Sequence, residues 1–363
     1  MEDGEIKETS RSCAMFGGEG PSSYAMNSSP QRGFLEAAQE IMKMSIVENL
    51  ETEKLSSATY RIADFGCSCG HNAILAIQTI LEAVRHKIQL EGCELPEFQV
   101  FFNDLVGNDF NTFFALLPPQ RQYYASGVPG TFHGRLFPEK SLHFAYSSCA
   151  LNWLSKVPEL VTDKASPAWN NGKIYHLGAH KEVAEAYGAK FCKDMESFLN
   201  ARSEELVEGG LMAIIMPGLP DAVPLSQTDT ALLFQLLESC IIGVAKQGLA
   251  SMEKVDTFNL PVHFPSAGEL EKVVKRQGKY SIETLEVLSN PNELTKASLQ
   301  QAPSNLRAVF DRIISSHFGN EFSKKLFDEY SKRIADPSFL SISHLCQLSV
   351  FLLVLKRINH CKR

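Results

Sequence analysis

The stretch RIADFGCSCGHN, residues 61–72, joins a short apolar run to an acid, two glycines four apart and an asparagine. Asp64 would stand at the carboxyl end of a strand, with Gly66 to Gly70 turning the chain into a helix. In open α/β sheets ligands bind just beyond such strand ends. Glycines there let the backbone approach a ligand with no Cβ in between. The spacing is Gly-x-x-x-Gly, so the third glycine of a dinucleotide site is missing, and no Lys-Ser/Thr pair follows as in a phosphate loop. A nucleoside without phosphate suits the turn better, and S-adenosylmethionine is such a ligand. The next strand candidate, FQVFFND, ends in Asp104, placed to take both ribose hydroxyls on one carboxylate. The competing reading is a plain strand-helix turn with Asp64 as a helix-side cap. Cys67 and Cys69 sit two apart, but zinc sites need wider spacing and a second pair, and none follows.

The elements that must position these residues follow from periodicity. Residues 17–30 are rich in Gly, Ser and Asn and predict an ordered loop or short turns. Residues 31–51 repeat apolar side chains at helical spacing through Phe34, Leu35, Ala38, Ile41, Met42 and Ile46. A strand at 60–65, an amphipathic helix at 72–90 and a strand at 98–104 come next. A helix at 108–118 is stopped by Pro118 and Pro119. A strand and turn at 123–130, a strand at 141–148, a short helix around ALNWLS and a buried strand at 209–218 continue the alternation. Such alternation predicts a parallel sheet covered on both faces. Beyond Pro217 strand signals thin out. Residues 228–248, 268–278 and 303–335 look helical, 256–266 is a proline-bracketed loop, and LSVFLLVLKR reads as a strand returning to the sheet. The expectation is one α/β domain carrying a mostly helical cap.

Composition narrows the partners. The 363 residues are 44% hydrophobic, ample for a packed core. A net charge of −7 with no Lys-Arg block argues against nucleic acid and anionic membrane. The apolar run LSVFLLVL is far short of the roughly 20 residues a membrane span needs. The first residues, MEDGEIKETSR, are the opposite of a signal or transit peptide. Nine cysteines without framework spacing fit a reducing compartment. A soluble, cytosolic protein is expected.

Several unusual segments occur in one order: GGEGPSSYAMNSSPQR, IADFGCSCGHNA, FFNDLVGNDFN, SGVPGTFHGRLFP, LNWLSKVP and FNLPVHFPS. Through them the chain resembles the plant SABATH methyltransferases, which move the methyl of S-adenosylmethionine onto carboxylates or ring nitrogens of small metabolites. With GGLMAIIMPGLP included, it looks most like the members acting on loganic and farnesoic acids. The resemblance implies a Rossmann-like core at 1–217 and 340–363, an α-helical cap at 218–339, and often a homodimer. It places Tyr24 and Ser28 in a loop folding over the cofactor, and Cys67 and Asn72 beside the glycine turn. Asp104 would take the ribose, Leu105 would pack on the adenine, and Thr131 and Phe132 would match a Ser-Phe pair beside it. Gln31 and Trp153 would hold the acceptor carboxylate. Their N–H donors do not titrate, and a carboxylate is already ionised near neutral pH, so no general base is needed. Cation and anion lose charge together as the methyl moves, so a closed, dry pocket that aligns them helps.

The chain also departs from the family. The usual acceptor segment Ser-Tyr-Ser/Ala-Leu-His-Trp reads SCALNW here, with Cys149 for Tyr and Asn152 for His. His263 stands where Tyr is common, and Phe234 stands near a frequent Trp. A remodelled pocket points to a bulkier or more polar acid: an iridoid acid, a terpenoid acid or an alkaloid precursor bearing a carboxylate. Cys149 would act as a nucleophile only with a lowered pKa. Some relatives carry a metal position matched here by Asn170, Asp256, Phe258 and Asn259. Its oxygen donors, with Phe258 contributing its carbonyl, suit Mg²⁺ or Ca²⁺, and the alternative is a loop tied by Asx hydrogen bonds. Two further readings stay open: N-methylation of a nitrogen heterocycle, and a ligand-binding homologue without turnover.

Overall fold

The computed structural model describes residues 14–52, 59–176, 180–220, 222–293, 295–336 and 346–358. Helix α1 (Ser29–Asn49) carries Pro30 in its first turn, where a missing N–H breaks no helical bond. Strand β1 (Thr59–Phe65) feeds through the glycine turn into α2 (His71–Leu90). Then come β2 (Glu97–Asp104), α3 (Phe110–Ala115), β3 (Tyr124–Pro129) and β4 (Leu142–Ser148). Helix α4 (Lys181–Glu205) leads directly into β5 (Leu206–Gly218). The second half adds α5 (Asp229–Val244), α6 (Met252–Thr257), α7 (Ala267–Gln277) and β6 (Tyr280–Leu288). It closes with α8 (Lys296–Phe318), α9 (Asn320–Ile334) and β7 (Ser349–Arg357).

The seven strands form one sheet in the order β3-β2-β1-β4-β5-β7-β6. β1 to β5 are parallel, β7 is antiparallel to β5, and β6 is antiparallel to β7. Two buried clusters cover its faces. One sets Met42 and Ile46 of α1 and Ile77, Ile80 and Val84 of α2 against Ile62, Val100 and Phe144. The other packs α4, α5, α8 and α9 against Phe65, Ala145, Met212 and Ile214. The chain runs outward from β1 to β3, then returns to the other side of β1 as β4. That reversal opens a crevice at the carboxyl ends of β1 and β4, where such sheets bind ligands.

The structure revises several expectations. Within residues 218–339, expected as a mostly helical cap, β6 runs as an edge strand of the sheet. Part of the second core segment, 340–345 and 359–363, lies outside the described residues. The 25-residue helix α4 was not anticipated. The short helix expected around ALNWLS is instead a turn, with Trp153 bridged to Val262. The helical stretch expected over 303–335 is divided into two helices at Gly319. The first of them starts earlier, at a capping box formed by Thr295 and Ser298. Among the described residues one helical stretch, Asp229–Leu249, is long and apolar enough to cross a membrane by length and composition. Its Phe234, Leu237, Ile241 and Val244 are buried in the core.

Gly66 shows how tightly the crevice floor is built. Its φ is +87°, and a Cβ there would stand 2.3 Å from that of Ala150. Both the left-handed backbone and the contact exclude a side chain. Gly66→Ala should therefore cost about 2–4 kcal/mol in chemical denaturation. Parent-like stability would show that the turn has slack the geometry does not suggest.

Candidate active site

A cleft opens at this crevice. Tyr24, Gln31, Asp64, Cys67, Asn72, Tyr146 and Ser148 line it, with the backbone at Gly66 and Gly70. The parallel register sets Asp64 beside Tyr146, and Ser148 follows two residues on, on the same face of β4. Asp64 is buried, and its Oδ2 has no hydrogen-bond partner. Burial pushes its pKa well above the carboxylate range, and the nearby Asp104 adds to this. The Tyr146 hydroxyl is likewise buried and unpartnered.

The rim of the cleft is a set of cross-linked strand ends. The N–H groups of Gly66 and Cys67 donate to Asn103 O at 2.9 and 3.0 Å. The Asp104 carboxylate accepts from Ser68 N at Oδ2 and from Leu105 N at Oδ1, both at 2.7 Å. Asn103 Nδ2 donates onward to Val128 O at 2.7 Å and Gly130 O at 2.9 Å. The loops after β1, β2 and β3 thus form one piece. A carboxylate offers about four lone-pair positions, so two amide bonds leave Asp104 able to accept more. Burial pushes its pKa up to about 6, against the pull of those amide bonds.

The N-terminal loop lies over this rim. Asn72 Nδ2 donates to the carbonyl of the buried Ser28 at 3.0 Å, and Tyr24 N donates to Phe16 O at 2.8 Å. Phe16 N in turn donates to Ala308 O of α8 at 3.0 Å. Burial raises the Tyr24 phenol well above its usual pKa, with Cys149, Cys69, Asp104 and Asp64 contributing in that order. Of the residues expected on the cofactor side, Tyr24, Cys67 and Asn72 meet in the cleft, with Ser28 behind Asn72. Asp104 and the half-buried Leu105 stand at the end of β2. Phe132 comes next: its Cε1 is 3.7 Å from where a Gly66 Cβ would be. Thr131 is exposed, its hydroxyl accepting from His133 N at 3.4 Å. Asp64, Tyr146 and Ser148 were not picked out as site residues. The signal was present, since Asp64 ends a strand that pairs with SLHFAYSS.

On the acceptor side Gln31 reaches the cleft, and its Oε1 is buried without a partner. Trp153 is half-buried and packs on Phe310, ring centres 5.6 Å apart. Segments 152–154 and 261–263 are paired: His263 N donates to Asn152 O at 2.8 Å, and Leu154 N donates to Pro261 O at 2.7 Å. Asn152 and His263 are both buried, and Asn152 Oδ1 and His263 Nδ1 have no partner. The His263 ring lies 3.5 Å from Glu269 Oε1. Phe234 is buried between Tyr175 and Phe310, centres 5.3 and 5.9 Å away. Cys149 has a φ of +53°. Burial pushes its thiol up to about 12, which removes the nucleophile reading.

Of the residues expected to hold a divalent cation, Asn170 and Asn259 are joined to each other and Asp256 and Phe258 have partners outside the set. Asn170 Nδ2 donates to Asn259 Oδ1 at 2.7 Å and to Lys173 O at 3.1 Å. Asp256 pairs with Lys164 at 3.5 Å. Phe258 donates its N–H to Val255 O at 3.1 Å. Asn170 Oδ1 is buried without a partner. Among the described residues no three His, Cys, Asp or Glu side chains gather as metal ligands.

A switch-point crevice with a glycine turn, strand-end acids and an overlying N-terminal loop is the site of a nucleoside-binding α/β enzyme. The chain belongs to the SAM dependent carboxyl methyltransferases, whose family model matches residues 10–358. It is 40% identical over 348 residues to a loganic acid O-methyltransferase of Catharanthus roseus, covering 94% of each chain. It is 38% identical to a farnesoic acid carboxyl-O-methyltransferase of Arabidopsis thaliana, covering 88% of this chain and 91% of the other. A solved loganic acid methyltransferase with SAH superposes with a TM-score of 0.90 at 39% identity, over 96% of this chain and all of that one.

A ligand whose hydroxyls donate to Asp104 binds its ionised form. With the free carboxyl titrating near 6, affinity should be full above that pH and fall as pH drops through it. Calorimetry with S-adenosylhomocysteine should show binding about ten-fold weaker at pH 5 than at pH 7. In Asp104→Asn this pH limb should vanish, and a limb that persists would assign it to another group.

Proposed function

We propose that the protein methylates the carboxylate of a small plant metabolite, an acid of the iridoid, terpenoid or alkaloid-precursor type, to its methyl ester. The observation that carries this reading is the protonation chemistry of the cleft. No His or Lys lines it, and burial holds Asp64, Cys67, Tyr24 and Tyr146 toward their uncharged forms. The cofactor side of the site therefore supplies no base, and on the acceptor side the His263 ring faces Glu269 at 3.5 Å. A carboxylic acid has already lost its proton near neutral pH, whereas an N–H heterocycle would have to lose one. The reading therefore favours O-methylation over N-methylation. Family membership and the activities of the loganic and farnesoic acid relatives support it.

S-adenosylmethionine, when bound, supplies the methyl group. In this reading the chain's own residues bind, orient and exclude water. Asp104 accepts the ribose hydroxyls. Leu105, Thr131 and Phe132 border the adenine. Asp64 offers an unpartnered acceptor inside the cleft. The Gln31 amide and the Trp153 indole donate to the acceptor's carboxylate and fix its line of approach. Asn152 and His263, whose Oδ1 and Nδ1 are buried without partners, favour an acid that carries hydroxyl donors away from its carboxyl group. Phe234 and Phe310 supply an apolar wall. A cytosolic setting belongs to the same proposal, which the free state of the described cysteines supports. So does a homodimer, which gel filtration with light scattering would check.

Turnover with methyl-labelled S-adenosylmethionine and a plant acid extract tests the function. The labelled product should release methanol in mild base, as esters do and N-methyl groups do not. The Gln31→Ala, Trp153→Ala double variant should lose roughly 100-fold in acid methylation while still binding S-adenosylhomocysteine. Parent-rate methylation by that variant would remove the carboxylate clamp. A protein that binds S-adenosylhomocysteine and labels nothing would be the ligand-binding homologue.

A further inference from the structure

Helix α4 carries two buried polar constellations that neither the cofactor residues nor the acceptor residues explain. The first is at its carboxyl end. Arg202 and Glu205 are fully buried and paired, Nε to Oε2 at 2.7 Å and Nη2 to Oε1 at 3.0 Å. The guanidinium also donates to Phe132 O at 2.7 Å and to Gly134 O at 2.8 Å. Glu205 Oε1 accepts from Leu136 N at 2.5 Å and from Phe137 N at 3.0 Å. The guanidinium carbon lies over the ring of Phe65, 4.2 Å from its centre, and Phe65 immediately precedes Gly66. The loop bearing Thr131 and Phe132 therefore hangs from one ion pair, which rests on the residue that starts the glycine turn.

The second constellation is two turns earlier. Asp194, buried, accepts from Ser155 N at Oδ2 and from Ser155 Oγ at Oδ1, both at 2.9 Å, and pairs with Lys190. Ser155 lies two residues beyond Trp153. Asp194 also borders His133, the neighbour of Phe132; burial lowers that imidazole's pKa while the charge and main chain of Asp194 pull it up. Eight residues separate Asp194 from Arg202, about 12 Å along a helix. One rigid helix thus grips the loop beside the cofactor at one point and the segment carrying the acceptor clamp at another.

We propose that Arg202 and Asp194 are positioning residues, Arg202 for the cofactor loop at 131–137 and Asp194 for the Trp153 segment, so that α4 sets the spacing between methyl donor and acceptor. This rests on the methyltransferase reading for the acceptor arm only; the cofactor arm stands on cofactor binding. A buried fork that donates to carbonyls and a carboxylate at once is a task for Arg and not for Lys. Arg202→Lys should therefore raise the Kd for S-adenosylhomocysteine at least ten-fold and leave the KM for the acid within two-fold. Asp194→Asn should do the reverse, raising the acid's KM at least ten-fold with the Kd for S-adenosylhomocysteine within two-fold. Should Arg202→Lys fail to fold, Glu205→Gln, which keeps a carbonyl oxygen toward the Leu136 and Phe137 amides, carries the same comparison. The opposed pattern is one that general loosening does not produce. Equal losses in both constants for both variants, or parent values in folded variants, would overturn the proposal. If the parent methylates no acid, the function fails while the Kd arm still decides Arg202.

Discussion

The Asp104 carboxylate is the point on which the site depends. One of its oxygens accepts the Ser68 amide of the glycine turn, and the other accepts the Leu105 amide at the end of its own strand. Those bonds hold two strand ends at a fixed separation, and Asn103 extends the link to the third. They also offset the burial that pushes the carboxyl up to about 6. Without them burial would push the carboxyl higher still and the turn would lose its anchor. With them it stays ionised near neutrality and keeps capacity to accept further hydrogen bonds.

The rest of the molecule then has positioning to do and little else. An ionised acceptor needs no base, so burial can hold the lining side chains uncharged without penalty to the reaction. What matters is that donor and acceptor meet in line and dry. The N-terminal loop is tied to α8 through Phe16 and Ala308, and α8 also supplies Phe310 beneath Trp153. In the proposed reading, cofactor cover and acceptor wall therefore share a helix. α4 ties the same two regions from the opposite face of the sheet to α1 and α2.

Much of this was legible in the sequence where local chemistry and local structure coincide. Asp-x-Gly-x-x-x-Gly between a strand and a helix placed the crevice, and an acid at the next strand end placed its rim. The unread parts are non-local or break a simple pattern. α4 escaped because its inward side includes Asp194, Arg202, Ser203 and Glu205, all buried, which interrupt the apolar stripe that marks a helix. β6 escaped because an edge strand is only half-buried, and its partner β7 lies some sixty residues further along the chain. The turn at Trp153 is fixed by Val262, more than a hundred residues away. The start of α8 was misjudged at Pro303, which reads as a first-turn proline yet sits inside the helix. Tyr146 and Ser148 were hidden for a different reason: only the strand order shows which strand stands beside β1.

The most direct measurement is a crystal structure of the protein with S-adenosylhomocysteine. The account predicts the adenosyl group across the carboxyl ends of β1 and β2. Both ribose hydroxyls should lie within hydrogen-bond distance of Asp104, whose bonds to Ser68 and Leu105 persist. A nucleoside bound elsewhere, or one whose sugar leaves that carboxylate untouched, would contradict it.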